Sequence, residues 1–280
     1  MKNLINKINN PSKLAIYGLG IATIMIAESA TAVNFSNGGT DENAFITNNS
    51  LTKIGEVEAV AGGRGKELFF GVNGSGVGTQ SSADFTWNNR TQYDWTLTWD
   101  TVNNLAQFTV ENFNTKLQYD FDNSSLADPT LDKFNAFGLI TKANGTGRSP
   151  VEDGTKISLD IDTVAFSNGD SISDLSTIGS NLVSSIANST TQIFDKQFYV
   201  LSDAGVEITE ITGNFSLDWN TVNPQSVNAN SFMGFEFKLF NNPTTSIDNS
   251  SSKSTPEPGS IISLFALGTL GFIRSQQKNK

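Results

Sequence analysis

Two carboxylates spaced two residues apart, Asp160 and Asp162, are the first chemistry the sequence offers. On a strand both project from one face. Carboxylates about 5–5.5 Å apart, or roughly 6.5–9.5 Å for inversion, equip a glycoside hydrolase. In the run SLDID, however, they alternate with Leu159 and Ile161, the pattern of the wet side of a half-buried strand. No E-x-D-x-x-E run accompanies them, so the expectation is a protein that is not an enzyme, with glycosidase as the least favoured alternative. Asp120, Asp122 and Asn123 in the run YDFDNSS, with Asp170 and Asp174 flanking another loop, supply oxygens of the kind calcium takes, and calcium is the one cofactor candidate. Neither loop follows the spaced Asp-x-Asp-x-Asp-Gly order of an EF-hand.

Tryptophan offers a third kind of chemistry. The stretch DWTLTWDTVN at 94–103 recurs as FSLDWNTVN at 215–223, placing Trp95 with Phe215, Leu97 with Leu217 and Trp99 with Trp219. Exposed indoles stack on sugar rings, so Trp87 and Trp95 are the candidate ligand residues of a lectin-like carbohydrate-binding module. A leucine flanked two residues to either side by aromatics marks an interior face instead. In a sandwich core each tryptophan buries on the order of 200 Å², and core is the expected role.

The 280 residues contain neither histidine nor cysteine. That removes disulfides, thiolate nucleophiles, Ser-His-Asp triads, histidine acid–base catalysis and the usual zinc ligands. Residues 33–255 carry 12 Lys and Arg against 26 Asp and Glu, a net charge of −14. Nucleic acid and anionic lipid need positive charge to displace counterions, and are excluded as partners on that ground.

The elements that would carry these residues are mostly strands. Residues 67–72 read as a strand. Ala83, Phe85 and Trp87 alternate, as do Tyr93, Trp95, Leu97 and Trp99, and then Ala106, Phe108 and Val110. This period of two means half-buried antiparallel strands, the last two joined by a hairpin loop at 100–104. Further strands are expected at 157–161, 197–202, 205–212, 213–219 and 232–240. Leu175, Ile178, Leu182, Val183 and Ile186 fall at helical spacing, predicting a helix over 174–187. Many short strands with one helix predict a mainly β fold, a two-layer antiparallel β-sandwich of jelly-roll-like type over 33–240. Residues 33–51 read as a loose lead-in or a first edge strand, and 241–255 as a Ser/Thr/Asn-rich tether.

The two ends carry a different message. Lys2, Lys7 and Lys13 precede an uncharged apolar run at 14–27, followed by Ala30-Thr31-Ala32 in A-x-A form. This is the layout of a secretory signal peptide cleaved after Ala32, and the run is short of the roughly 20 residues that span a bilayer. At the other end Pro256-Glu257-Pro258 leads to an apolar run at 261–273, then Arg274, Lys278 and Lys280. The apolar segment partitions into the bilayer as a short transmembrane segment, while the basic tail resists crossing.

This ending resembles the PEP-CTERM sorting domain, a Pro-Glu-Pro motif, a short transmembrane helix and a basic cluster at the chain end. The apolar segment is shorter, and the basic residues more dispersed, than in a close match. The resemblance implies cleavage near 256–258 by an exosortase, in a Gram-negative-type envelope. It also implies delivery to the cell surface, or secretion into extracellular matrix and exopolysaccharide. The partners implied are signal peptidase, exosortase and exopolysaccharide. The body, through Phe85-Thr-Trp87, Trp95-Thr-Leu97-Thr-Trp99-Asp100 and Ala106-Gln-Phe108-Thr-Val110, is similar to the choice-of-anchor W domains of bacterial surface proteins. That likeness implies an extracellular β-module with no assigned chemistry. Together they lead to the expectation of an exported structural or adhesive protein.

Overall fold

The computed structural model describes residues 33–62, 67–113 except 75 and 77, 115–120, 133–144, 151–188 except 177, 191–202, 205–226 and 233–242. The signal-peptide residues Ala30 and Ala32, the sorting residues Pro256, Glu257, Pro258 and Arg274, most of the tether, and Asp122 lie outside the described residues. Among those described, no helix is long and apolar enough to cross a membrane.

The elements in chain order are β1 (Phe35–Gly39), α1 (Glu42–Asn48), β2 (Thr52–Ala61), β3 (Leu68–Gly71), β4 (Thr79–Ala83), β5 (Thr91–Asp100), β6 (Leu105–Val110), β7 (Thr115–Asp120), β8 (Ala136–Asn144), β9 (Lys156–Phe166), β10 (Ser171–Ile172), β11 (Leu182–Ile186), β12 (Gln192–Leu201), β13 (Ile208–Asp218) and β14 (Met233–Asn241). Two antiparallel sheets pack face to face. The first runs β1-β12-β8-β14-β2-β3-β4 and the second β10-β9-β13-β5-β6-β7, with β11 added beside β9. The expected two-layer sandwich is the fold.

Alternation in the sequence becomes the interface between the layers. Tyr93, Trp95, Leu97 and Trp99 of β5 all point inward, as do Phe215 and Leu217 of β13 and Phe235, Phe237 and Leu239 of β14. Aromatic rings meet across the layers. Trp95 lies 5.4 Å from Phe237, Phe215 4.9 Å from Phe235, Trp99 5.5 Å from Phe134 and Phe70 5.4 Å from Tyr119, centroid to centroid. Such pairs add about 0.5–1.5 kcal/mol each beyond their buried area, and no disulfide shares the task.

Four expectations differ from what is observed. Residues 174–187 are not a helix. Residues 174–181 form a turn closed by side chains: Asn181 Oδ1 accepts from the Leu175 amide at 2.8 Å, and Tyr199 donates to Ser180 O at 2.7 Å. Strand β11 follows, pairing with β9 and packing against β8 and β12 of the other sheet. A helical face would bury Leu182 and Ile186, yet these are 44 % and 50 % exposed while Val183 and Ser185 turn inward. Burial of Tyr199 pushes its hydroxyl up to about 12, so it remains a donor.

The observed helix is α1, in the segment read as a lead-in. Asp41 caps it by accepting from the Ala44 amide at 3.0 Å. Its Phe45 packs on Phe198 and Phe240, covering the outer face of the first sheet.

The strand expected through Phe85 and Trp87 ends at Ala83. Gln225 then acts as a surrogate partner strand, its Oε1 accepting from the Trp87 amide at 2.8 Å and its Nε2 donating to Phe85 O at 2.8 Å. The two strands expected at 205–212 and 213–219 are one, β13. The break falls on a bulge against β9, where Thr212 pairs with Thr163 and Gly213 with Ile161, leaving Asp162 the extra residue.

Gly213 is needed there. A Cβ would sit 2.0 Å from Asp160 O and 2.8 Å from the Trp95 ring. Gly213→Ala is expected to cost about 2 kcal/mol in urea unfolding, the range for overpacking a tight core. Thr212→Ala, on the outer face, should stay within about 0.5 kcal/mol.

Candidate functional site

The two copies of the repeat lie on neighbouring antiparallel strands, Phe215 opposite Tyr93 and Gly213 opposite Trp95. Their Thr-Val-Asn turns therefore sit at opposite ends of the sandwich. Each turn presents backbone amides to a carboxylate. In the first, Asp100 Oδ1 accepts from Val102 N at 3.0 Å and Asn103 N at 3.1 Å. The second copy has Asn220 in place of Asp100, and the anion comes from elsewhere: Glu152 Oε2 accepts from Thr221 N at 2.9 Å and Val222 N at 3.0 Å. Hydrogen bonds from the turn, led by the Asn103 side chain for Asp100 and by the Thr221 amide for Glu152, hold both carboxyls below their ordinary values.

At the first turn the outer face of the second sheet deepens into an open groove of about 590 Å³. Thr98, Leu105 and Gln107 line it from the β5–β6 hairpin, Val102 from the turn, Ser167 from the β9–β10 turn and Thr209 from the start of β13. Beyond it Thr212, Thr96 and Thr109 stand in register across β13, β5 and β6, with Asn214 opposite Asp94 and Ser216 opposite Gln92. Asp100 sits in the groove wall with its carboxylate already engaged by the turn.

The candidate residues read from the sequence are scattered. Trp87 and Trp95 are each 1 % exposed and lie among Phe85, Phe108, Phe215 and Phe237. A ring enclosed on both faces has none to offer a sugar, so the aromatic platform at these two residues is corrected to core. Their indole N–H groups find no acceptor among the described residues.

Asp160 and Asp162 do share the outer face of β9. Burial first, and then its neighbour Asp162, raise Asp160 above the ordinary carboxylate range. Asn214 Nδ2 donates to Asp162 at 3.5 Å.

Asp120 ends β7 and Asp170 precedes β10, on opposite edges of one sheet. They belong to two separate candidate loops, and in the first Asp122 and Asn123 lie outside the described residues. Asp170 accepts from Asn168 at 2.8 Å. Among the described residues no group of three or more acids is placed to hold a metal.

The outer face of the first sheet carries an arrangement the sequence does not announce. Lys142 binds Glu58 at 3.4 Å and Glu236 at 3.2 Å, and Lys238 binds Glu236 at 3.3 Å and Glu42 of α1 at 2.6 Å. Burial alone would lower both lysines; for Lys142 the facing Glu236 and Glu58, and for Lys238 the facing Glu42 and Glu236, outweigh it and hold each above its usual value. Burial would raise Glu236, but Lys142 and Lys238 pull it below. Glu56 goes the other way, since burial outweighs its pairing with Lys53. Opposite charges saturate one another here, which suits a covered structural face.

Against known proteins, the chain matches no family model and no curated protein.

The carboxylate in the second turn makes a pH-dependent difference. Its folded pKa lies below the unfolded 4.5, so its contribution is complete above that value and is lost as pH falls through the folded pKa. Glu152→Gln is expected to melt below wild type at pH 7, the gap narrowing steadily below pH 4.5 in thermal scans followed by circular dichroism.

Proposed function

We propose that this chain is an exported cell-surface or extracellular-matrix protein with a structural or adhesive role. It is trimmed by signal peptidase at one end and by an exosortase-type enzyme at the other. One observation carries the reading: among the described residues the packed core begins at Val33, beside the expected cleavage point, and its last strand ends at Asn241, ahead of Pro256. The chain divides between Ala32 and Val33, the expected cleavage point, and Val33 and Phe35 already belong to the core. At the other limit β14 ends at Asn241, and Asn242 is clamped by Asn135, which accepts from its amide at 2.6 Å and donates to its carbonyl at 3.2 Å. Both expected trims then spare every core residue among those described.

The geometry also supports attachment from one side. The start of β1 and the end of β14 lie at the same end of the first sheet: Phe35 pairs with Leu201, Val200 with Ala136, and Ala136 with Phe240. Three strand spacings put them about 14 Å apart. A body tethered through its C-terminus thus exposes its opposite end, where Glu152 holds the second turn.

Intact mass and terminal sequencing of the protein recovered from producing cells test the reading. The expected species begins at Val33 and ends within about three residues of 256–258. Recovery of Met1 and Lys280 on the same mature polypeptide would overturn it.

A further inference from the structure

The geometry points to the groove at the β5–β6 hairpin as a binding site for an uncharged polysaccharide chain. This deepens the surface-protein reading and rests on it for the biological source of the ligand. The volume of about 590 Å³ lies inside the roughly 300–1,000 Å³ of ligand sites. Its chemistry is that of a partner rich in hydroxyls. The hydroxyls of Thr98, Thr101 and Thr209 and the amide of Gln107 are unengaged by other side chains among the described residues, and each amide or hydroxyl can both donate and accept. Leu105 and Val102, the latter 88 % exposed, add an apolar strip for the C–H faces of a sugar ring.

Charge narrows the class. No Lys or Arg lines the groove, Asp100 forms part of its wall and Glu210 stands directly opposite Thr98 on the neighbouring strand. An anionic polymer would be repelled. A peptide adding as a strand needs free backbone groups at a sheet edge. Here β5 is paired on both sides, with β6 and β13.

Position adds a second reason. Asn242, the last described residue before the C-terminal segment, bonds to Asn135, whose neighbour Phe134 accepts from Ile208 N at 2.8 Å, and Thr209 follows in the groove wall. The groove therefore lies at the end from which the chain leaves the sandwich. A polymer held there is close to wherever the C-terminus is fixed. Two attachments at one end reinforce each other by raising effective concentration.

The test is affinity electrophoresis and calorimetry of the full chain, kept in a sugar-free detergent, against dextran, laminarin and galactomannan, with polygalacturonate as the anionic comparison. Saturable binding to at least one uncharged polymer is expected. Gln107→Ala should weaken it about tenfold, the worth of one lost hydrogen bond. Val102→Arg, at a fully solvated turn, should weaken it at least as much without changing the melting temperature. Phe194→Ala, exposed on the other sheet, should leave binding unchanged. Binding to none of the three uncharged polymers, to polygalacturonate alone, or with wild-type affinity in both groove variants would overturn the site. Trimmed termini found together with a failed binding screen would remove the groove and leave the exported-protein reading standing.

Discussion

The structure depends on aromatic rings meeting between two sheets. A chain of this size with no cysteine has only its core to resist unfolding. The rings of β5, β13 and β14 supply the contacts that hold the layers in register. Space for them is set by backbone as much as by side chains. Gly213 leaves room opposite Trp95; on the outer face of the first sheet, under α1, Gly138 likewise leaves room for Phe198, whose ring carbons would lie 2.3 Å and 2.4 Å from an added Cβ. Because the aromatic rings of these strands are consumed inside, the outer face of the second sheet is left mainly to hydroxyls, amides and carboxylates.

The repeated Trp-Asx-Thr-Val-Asn turn shows how one local solution is kept when a residue changes. Both copies need an anion for two adjacent amides. Asp100 supplies it within its own turn, whereas Asn220 cannot, and Glu152 arrives from the connection before β9. The consequence is long-range: the second turn is tied to a segment almost 70 residues away. The first turn is self-sufficient, which leaves its surroundings open as a groove.

Strands were legible wherever apolar residues alternated without interruption, as at Tyr93 to Trp99 and Ile157 to Ile161. Legibility failed where partners came from far along the chain. Leu175, Ile178 and Val183 mimic a helical stripe because a turn happens to precede a strand, and nothing local reveals that Tyr199 closes that turn. Gln225 replaces a strand for Phe85 and Trp87 across about 140 positions. The short helix did have a signal, Asp41 as cap followed by Glu42 and an apolar Phe45-Ile46, but seven residues are too few for periodicity to register. The groove draws on β5, β6, the β9–β10 turn and β13, so no single stretch of sequence contains it. The acids proposed for calcium were individually visible in two separate loops, the first of which runs on past the described residues after Asp120.

The placement of the four tryptophans decides between an aromatic sugar platform and an interior, and fluorescence reads it directly. None is more than 8 % exposed. Iodide quenching of the native protein should therefore be slight, rising sharply only on unfolding in denaturant. Strong quenching of the native protein would contradict an interior role for these rings.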